Sequence, residues 1–172
     1  MNPALAHIFH RRSVRCFTSD AVPDALVRDL LDAAMAAPSA RATDPWRFVV
    51  LRDQAVRRAI AAKLPNGSML AQAPLGIAIC GELSAACDQQ LSYLIQDCSA
   101  AMANLLLAAD ALGLGACWLG VHPREDRVAH LRTTLGLPDG ILPIAAVAVG
   151  WPAESPAPRT RFDSAKVHGD RW

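Results

Sequence analysis

Three guanidiniums and a hydroxyl stand within five residues at Arg11-Arg12-Ser13-Val14-Arg15. Planar, permanently charged forks at that density match a phosphate dianion, which they grip through paired N–H···O bonds. The same residues also read as a solvated basic turn. Arg159 and Arg161, far along the chain, read either as solubilising charges or as further ligands closing on the same anion. A second stretch, Ala37-Pro38-Ser39-Ala40-Arg41-Ala42-Thr43-Asp44-Pro45-Trp46, is a small-residue loop pinned by prolines. Small side chains leave backbone N–H groups within reach of a flat ring. Its plainer reading is a helix-to-strand connection ending on a core tryptophan.

Other chemistries find no residues to carry them. Ser13, Ser39 and Ser99 lie in no nucleophile elbow, and His7, His10, His122, His130 and His168 are linked to no serine or cysteine in a triad pattern. With only three glutamates in the chain, paired carboxylates for glycoside chemistry are unsupported. The five cysteines, Cys16, Cys80, Cys87, Cys98 and Cys117, are odd in number and scattered, without metal spacing. They are expected to be mostly buried free thiols in a reducing cytosol, with no metal and no disulfide framework. Chemistry without a protein nucleophile or metal points to an organic cofactor.

The elements that must position these residues follow from periodicity and punctuation. A short helix is expected over 2–10, and a second opens at Asp20–Pro23 and stops before Pro38. Arg47–Arg52 reads as a strand, and Asp53 caps a helix to about Leu64, closed by Pro65-Asn66-Gly67. Leu75–Gly81 is a buried strand, and Asp88–Leu112 the longest helix, stopped by Gly113. Between Cys98 and Ala109 that helix carries no charge and is apolar on every face, so it must be buried all round, with one side facing a second subunit. A strand over Ala116–Leu119, a helix from Pro123 to Gly136 and a strand over Pro143–Val149 complete the order. From Trp151 the chain is a proline-rich arm that needs a surface to lie on, and the partner subunit's is the one expected. Helices alternating with buried strands predict a parallel α/β sheet. Yet no Gly-x-Gly-x-x-Gly turn follows a strand, and Gly113-Leu114-Gly115 sits between helix and strand, the reverse of a phosphate loop.

Composition narrows the classes further. The 172 residues suit one domain, 1–172, with 151–172 as its arm; 52% are hydrophobic and only 19% charged. That surplus over the usual composition predicts self-association. With 17 Lys+Arg against 16 Asp+Glu, neither nucleic acid nor an anionic membrane is the expected partner. The uncharged run Leu64–Gly81 is broken by Pro65, Gly67 and Pro74 and is no membrane span. Arginines downstream of Met1-Asn2-Pro3-Ala4-Leu5 are not in the order of a secretory signal, so a cytoplasmic location is expected.

Four stretches taken together resemble the FMN-dependent nitroreductase family. They are Arg11–Arg15; Ala37-Pro38-Ser39-Ala40 with Pro45-Trp46-Arg47-Phe48; Gln96-Asp97-Cys98 through Gly113-Leu114-Gly115-Ala116-Cys117-Trp118-Leu119-Gly120; and Val149-Gly150-Trp151-Pro152. The resemblance implies an α+β fold on a mainly antiparallel central sheet flanked by helices, in an intertwined homodimer with FMN at the subunit interface. It implies that Arg11 and Ser13, with Arg12 beside them, hold the phosphate and ribityl end, and that Arg15 lies near the N1–C2=O edge of the flavin. Pro38, Ser39, Ala40 and Ala42 would meet the ring from the other subunit, Leu119 and Gly120 would supply backbone near it, and Arg159 or Arg161 would complete the phosphate site. No side chain is expected to act as a catalytic acid, base or nucleophile. The family pattern usually has Asn where this chain has Ala42, and often Gln where it has Asp44. The implied activity is transfer of hydride from NADH or NADPH to small conjugated acceptors such as quinones or nitroaromatics, by a ping-pong route. A specialised flavin enzyme of the same fold, or a flavin-binding protein without turnover, are the alternatives.

Overall fold

The computed structural model describes residues 2–172. After a single turn at Pro3–Leu5, the elements run α1 (Ala6–His10), α2 (Asp24–Met35), β1 (Trp46–Leu51), α3 (Gln54–Ala61), α4 (Ser68–Gln72), β2 (Leu75–Glu82), α5 (Leu91–Ala111), β3 (Gly115–Gly120), α6 (Glu125–Leu135) and β4 (Ile141–Gly150). The strands form one sheet in the order β1-β2-β4-β3, with every neighbouring pair antiparallel. The parallel sheet predicted from the alternation of elements is therefore corrected. Helix–strand alternation fixes neither direction nor adjacency, and here β2 and β4 lie side by side with α5, β3 and α6 between them in sequence.

Both faces of the sheet are covered. Ile77, Ile79, Val147 and Val149 point to the α2–α5 side, and Ala78, Cys80, Ala146 and Ala148 to the α3–α4–α6 side. The period-two alternation of a strand thus feeds two separate apolar layers. It also explains why β2 reads as an unbroken apolar run.

Three local features differ from the sequence expectation. The long helix begins at Leu91, because Asp88 and Gln89 sit in left-handed backbone at φ 50° and 54° and cannot continue a helix. The short helix α4 was not foreseen within the uncharged run. The last strand extends beyond Pro143, which lies opposite Cys80 where the β2–β4 register shifts. A proline lacks the N–H for the ladder, and a bulge is where a sheet tolerates it. That bulge frees the carbonyl of Ile144 to accept from Val121 (3.3 Å) and His122 (3.0 Å), directly after Gly120. The end of β3 is held in place by this backbone junction.

Helix α5 is long and apolar enough to cross a membrane by length and composition. Here it lies against the sheet and α2, burying Leu94, Cys98, Ala101, Met102, Leu105 and Ala109. Its opposite face, Ala100, Ala103, Leu107 and Ala111, is apolar and at least partly open. The arm from Trp151 is tied to its own chain at first. The Trp151 indole donates to the Ala21 carbonyl, Ala153 N–H to the Cys16 carbonyl, Arg12 to the Ala157 carbonyl, and Arg159 N–H to the Phe9 carbonyl. Beyond that, Phe162, Val167 and Trp172 stand in solvent.

Residues 13–14 add a rung outside β3: Ser13 bridges Ala116 in parallel, and Val14 N–H donates to the Ala116 carbonyl at 3.0 Å. The approach requires Gly115, since a Cβ there would lie 2.6 Å from Val14 Cγ1 and 2.8 Å from its Cβ. Gly115→Ala is expected to cost about 1–3 kcal/mol through overpacking. Urea denaturation checks it, and an unchanged midpoint would show that this contact does not constrain the fold.

Candidate functional site

The extended segment 11–15 runs along the outer edge of β3. Because Ala116 offers its carbonyl outward to Val14, the alternation of an antiparallel strand turns the backbone groups of Trp118 and Gly120 outward too. Val14 covers the edge at Ala116, and the Arg127 guanidinium reaches the Gly120 carbonyl at 2.9 Å. Between them, the N–H groups of Trp118 and Gly120 remain free to meet a ligand.

Two adjoining clefts flank this segment. One is lined by His10, Arg11, Arg12, Asp110, Gly113, Glu154 and neighbouring residues of the arm. The other is lined by Arg15, Leu119 and Gly120 with Leu64, Pro65, Asn66, Met69, Cys117, Trp118 and Arg127. Four residues of extended chain span about 13 Å at most, enough to hold an anion near Arg11 and a flat ring near Arg15 in separate subsites. Ser13 lies between, beside the Cys117 thiol.

The electrostatics favour an anion. Arg28, Arg41, Arg47, Arg52 and Arg132 each stand within ion-pair distance of a carboxylate. Among the described residues, Arg11, Arg12, Arg15 and Arg127 have no such partner, although they are gathered along two clefts. Arg57, Arg58, Arg124, Arg159, Arg161 and Arg171 are also unpaired, but none of them lines these clefts. The one carboxylate in close contact with the segment, Glu154, accepts from the backbone N–H groups of Arg15 and Cys16 at 2.5 and 3.1 Å, and those bonds hold its pKa below the ordinary carboxylate range. It fixes the segment through its backbone; the guanidiniums of Arg12 and Arg15 donate only to carbonyls, those of Ala157 and Ser13, and keep their charge without a carboxylate partner.

The residues predicted from the loop lie elsewhere. Pro38, Ser39, Ala40 and Ala42 lead into β1, at the opposite edge of the sheet from β3 but at the same end, since Trp46, Gly81 and Leu142 are aligned there. Three strand spacings, about 14 Å, separate the two edges, so one chain does not bring both groups onto one small ring. Within the loop, the Ser39 hydroxyl donates to the Asp44 carboxylate at 2.5 Å and accepts from Asp44 N–H, while Ala40 N–H reaches the buried Asp97 carboxylate at 3.0 Å. Arg41, Ala42 and Asp44 all have positive φ, at 53°, 53° and 48°. Left-handed backbone suits Asn far better than Ala. The family's usual residue at position 42 would fit this conformation, and Ala42 keeps the conformation without the amide.

Arg159 is held beside α1 by its backbone, and neither it nor Arg161 lines the two clefts. Asn66 and Arg127 were missed from the sequence. Asn66 reads there as part of a helix stop, and Arg127 as one charge on an amphipathic helix. Only the fold turns both toward Arg15.

The comparisons with known proteins agree in kind. The model of the Nitroreductase family matches residues 8–151. A protein of Methanothermobacter thermautotrophicus, provisionally named NADH dehydrogenase/NAD(P)H nitroreductase, is 40% identical over 166 residues, covering 94% of this chain and 84% of that protein. A crystal structure under the same provisional name from Bacteroides thetaiotaomicron superposes with a TM-score of 0.93 at 39% identity, covering 100% of this chain and 99% of that one. A provisionally assigned nitroreductase from Desulfovibrio desulfuricans, crystallised in complex with FMN, gives a TM-score of 0.87 at 34% identity over 100% of this chain and 99% of that one.

Two outcomes are expected. Ala42→Gly relieves a left-handed alanine worth ~1–2 kcal/mol against ~0.4–1 kcal/mol of added freedom in the unfolded chain, for a net gain of about 0.5 kcal/mol in denaturant unfolding; a loss would show that the position is unstrained. Burial pushes the Cys80 and Cys98 thiols up to about 12. The unfolded chain ionises its thiols above ~8.5 while these two stay protonated in the fold. Their contribution to stability is therefore complete below that pH and is lost as pH rises toward about 12. Disulfide-exchange labelling of the folded protein at pH 8 should accordingly modify exposed Cys16 first and leave Cys80 and Cys98 unreacted.

Proposed function

The chain belongs to the nitroreductase family, an NAD(P)H-dependent oxidoreductase by that kinship, and from this premise we propose that it carries FMN along the outer edge of β3 and reduces small conjugated acceptors such as quinones or nitroaromatics. The observation that carries the proposal is the row of unpaired arginines, Arg11, Arg12 and Arg15, beside the open backbone edge at Trp118 and Gly120. FMN, when bound, supplies a ring that takes two electrons as hydride from NADH or NADPH and hands them to the acceptor.

The residues present fit that group. Gly120 is exposed, and a Cβ built on it meets nothing within 4 Å, so its backbone is open to close approach by a planar ligand. Arg11, with Arg12 and Ser13 beside it, would hold the phosphate and ribityl end, and Arg159 or Arg161 would close on the phosphate from the arm. Arg15 would place positive charge where reduction puts negative charge on the ring. A pre-positioned cation favours that state without reorganisation. Leu119 is buried beneath this edge and fixes the strand, while the outward N–H groups of Trp118 and Gly120 would orient the ring. Donor and acceptor would occupy the same cleft in turn, which gives ping-pong kinetics. The setting we propose is cytoplasmic.

A second copy of the chain completes the site. Pro38, Ser39, Ala40 and Ala42 lead into β1, which lies three strand spacings, about 14 Å, from β3 in the same chain, so they would meet the ring of a partner's site. The open apolar face of α5, the apolar groove of Ile8, Ala33, Ala36, Leu107 and Ala111, and the solvent-exposed Phe162, Val167 and Trp172 supply surface for such a homodimer. The missing amide at Ala42, with Asp44 occupied by Ser39, favours a second reading in which the same fold serves a more specialised flavin reaction.

Protein mixed with FMN and desalted is expected to keep a flavin spectrum that bleaches anaerobically with NADPH or NADH, and to give parallel double-reciprocal lines. Gly120→Val is expected to weaken FMN binding at least tenfold, about 1.4 kcal/mol, at an unchanged denaturation midpoint. A wild-type protein that retains no FMN would sink the proposal; flavin that binds and never bleaches would leave only a binding role.

A further inference from the structure

The cleft beside Arg15 contains a second cation that flavin binding as described does not use. Arg127, in the first turn of α6, is half-buried and donates through Nη1 to the Gly120 carbonyl at 2.9 Å. Among the described residues its Nε and Nη2 have no hydrogen-bond partner. Its neighbours in the turn, Glu125 and Asp126, are exposed and outside ion-pair distance, and no carboxylate lines the cleft. Across from it the loop after α3 brings Asn66, whose side-chain amide is likewise unpartnered among the described residues.

An anchored guanidinium with two whole nitrogens, Nε and Nη2, to spare differs from a mobile surface charge. Its bond to Gly120 fixes the plane of the fork, so less rotamer entropy is lost when it binds a planar oxyanion. An amide on the same cleft adds a donor for the second oxygen. A cleft holding two cations and no acid repels nothing negative, and partial burial limits screening by salt.

We propose that Arg127, assisted by Asn66, makes this site selective for conjugated acceptors that carry a carboxylate, held beside the ring by the free N–H groups of the guanidinium. The inference rests on the flavin reading above and adds the substrate class. It assigns Arg127 to substrate recognition, while Arg15 remains the cation of the cofactor.

The test uses the FMN-loaded protein with 4-nitrobenzoate and its neutral analogue 4-nitrobenzamide. The acid is expected to have the larger kcat/KM by at least tenfold, about 1.4 kcal/mol, and the preference to shrink as ionic strength rises. Arg127→Gln should reduce the ratio to near one by lowering kcat/KM for the acid far more than for the amide, with the NADPH-to-NADH ratio retained, and Arg127→Lys should restore part of it. Binding of benzoate to the oxidised protein, followed by perturbation of the flavin spectrum without turnover, should weaken in parallel. Equal use of acid and amide by the wild type would overturn the inference without any variant. So would an Arg127→Gln protein that loses both substrates equally, or one whose only change is in the NADPH-to-NADH ratio. Failure of the wild type to take up FMN would instead overturn the flavin reading, and this inference with it.

Discussion

The rung that Ser13 and Val14 add to the edge of β3 is the contact on which the site depends. It exists because Gly115 has no side chain where Val14 must lie, and because Ala116 turns its carbonyl outward. Once that pairing forms, the direction of the strand dictates the rest. The arginines before and after it are laid along one edge in a fixed order, and Glu154 locks the far side of the segment through two backbone bonds. At the other end of β3, the bulge at Pro143 leaves the Ile144 carbonyl to catch Val121 and His122. An edge strand that would otherwise invite pairing with another chain is thus covered at Ala116, capped at Gly120, and open between them.

How much of this was legible in the sequence depended on how local the cause was. Asp53 announces α3, and its carboxylate does accept from Ala55 N–H at 2.7 Å. Gly136, at φ 60°, ends α6 as its type and place imply. Such signals act over one helical turn. Strand direction is different: it emerges from which strands find each other across the fold, so alternating helices and strands were compatible with the wrong, parallel sheet. The positive φ at Asp88 and Gln89, which delays α5, likewise has no residue signature that separates it from an ordinary helix start. The site shows the same division. Arg11–Arg15 is a local cluster and stood out, whereas Asn66 and Arg127 acquire meaning only when α3 and α6 are folded onto one face of the sheet.

The resemblance of four motifs to a known family supplied what periodicity lacked, namely the antiparallel sheet. The physical reading supplied something the motifs did not, a reason for the motifs to be split. Two groups of residues expected around one ring sit at opposite edges of a four-stranded sheet, and no rearrangement short of breaking the ladder brings them together in one chain. The surplus of apolar residues points the same way. Both layers of the sheet are filled, yet α5 still carries Leu107 and a row of alanines on its outer side, and the arm ends in exposed aromatic residues. A separated site and unspent apolar surface are the two features that the proposed homodimer would join, a second copy supplying the other half of the site.

The loop over 38–44 shows a balance between conformation and chemistry. Three residues with side chains hold left-handed backbone within four positions, a costly arrangement that persists only where surrounding bonds over-determine it. Those bonds are present: Asp97 takes Ala40 N–H, Ser39 and Asp44 grip each other, and Arg41 reaches Asp88 at 3.2 Å. The conformation is thus preserved at a position where the residue that usually justifies it is missing. An alanine in that place retains the strain and offers no side-chain donor, so the loop keeps its shape without the amide. The unpaired charge at Arg127 lies on the other side of the same proposed pocket. In the proposed site a flavin ring would meet fewer donors at one edge and an extra cation at the other, an arrangement that suits negatively charged acceptors.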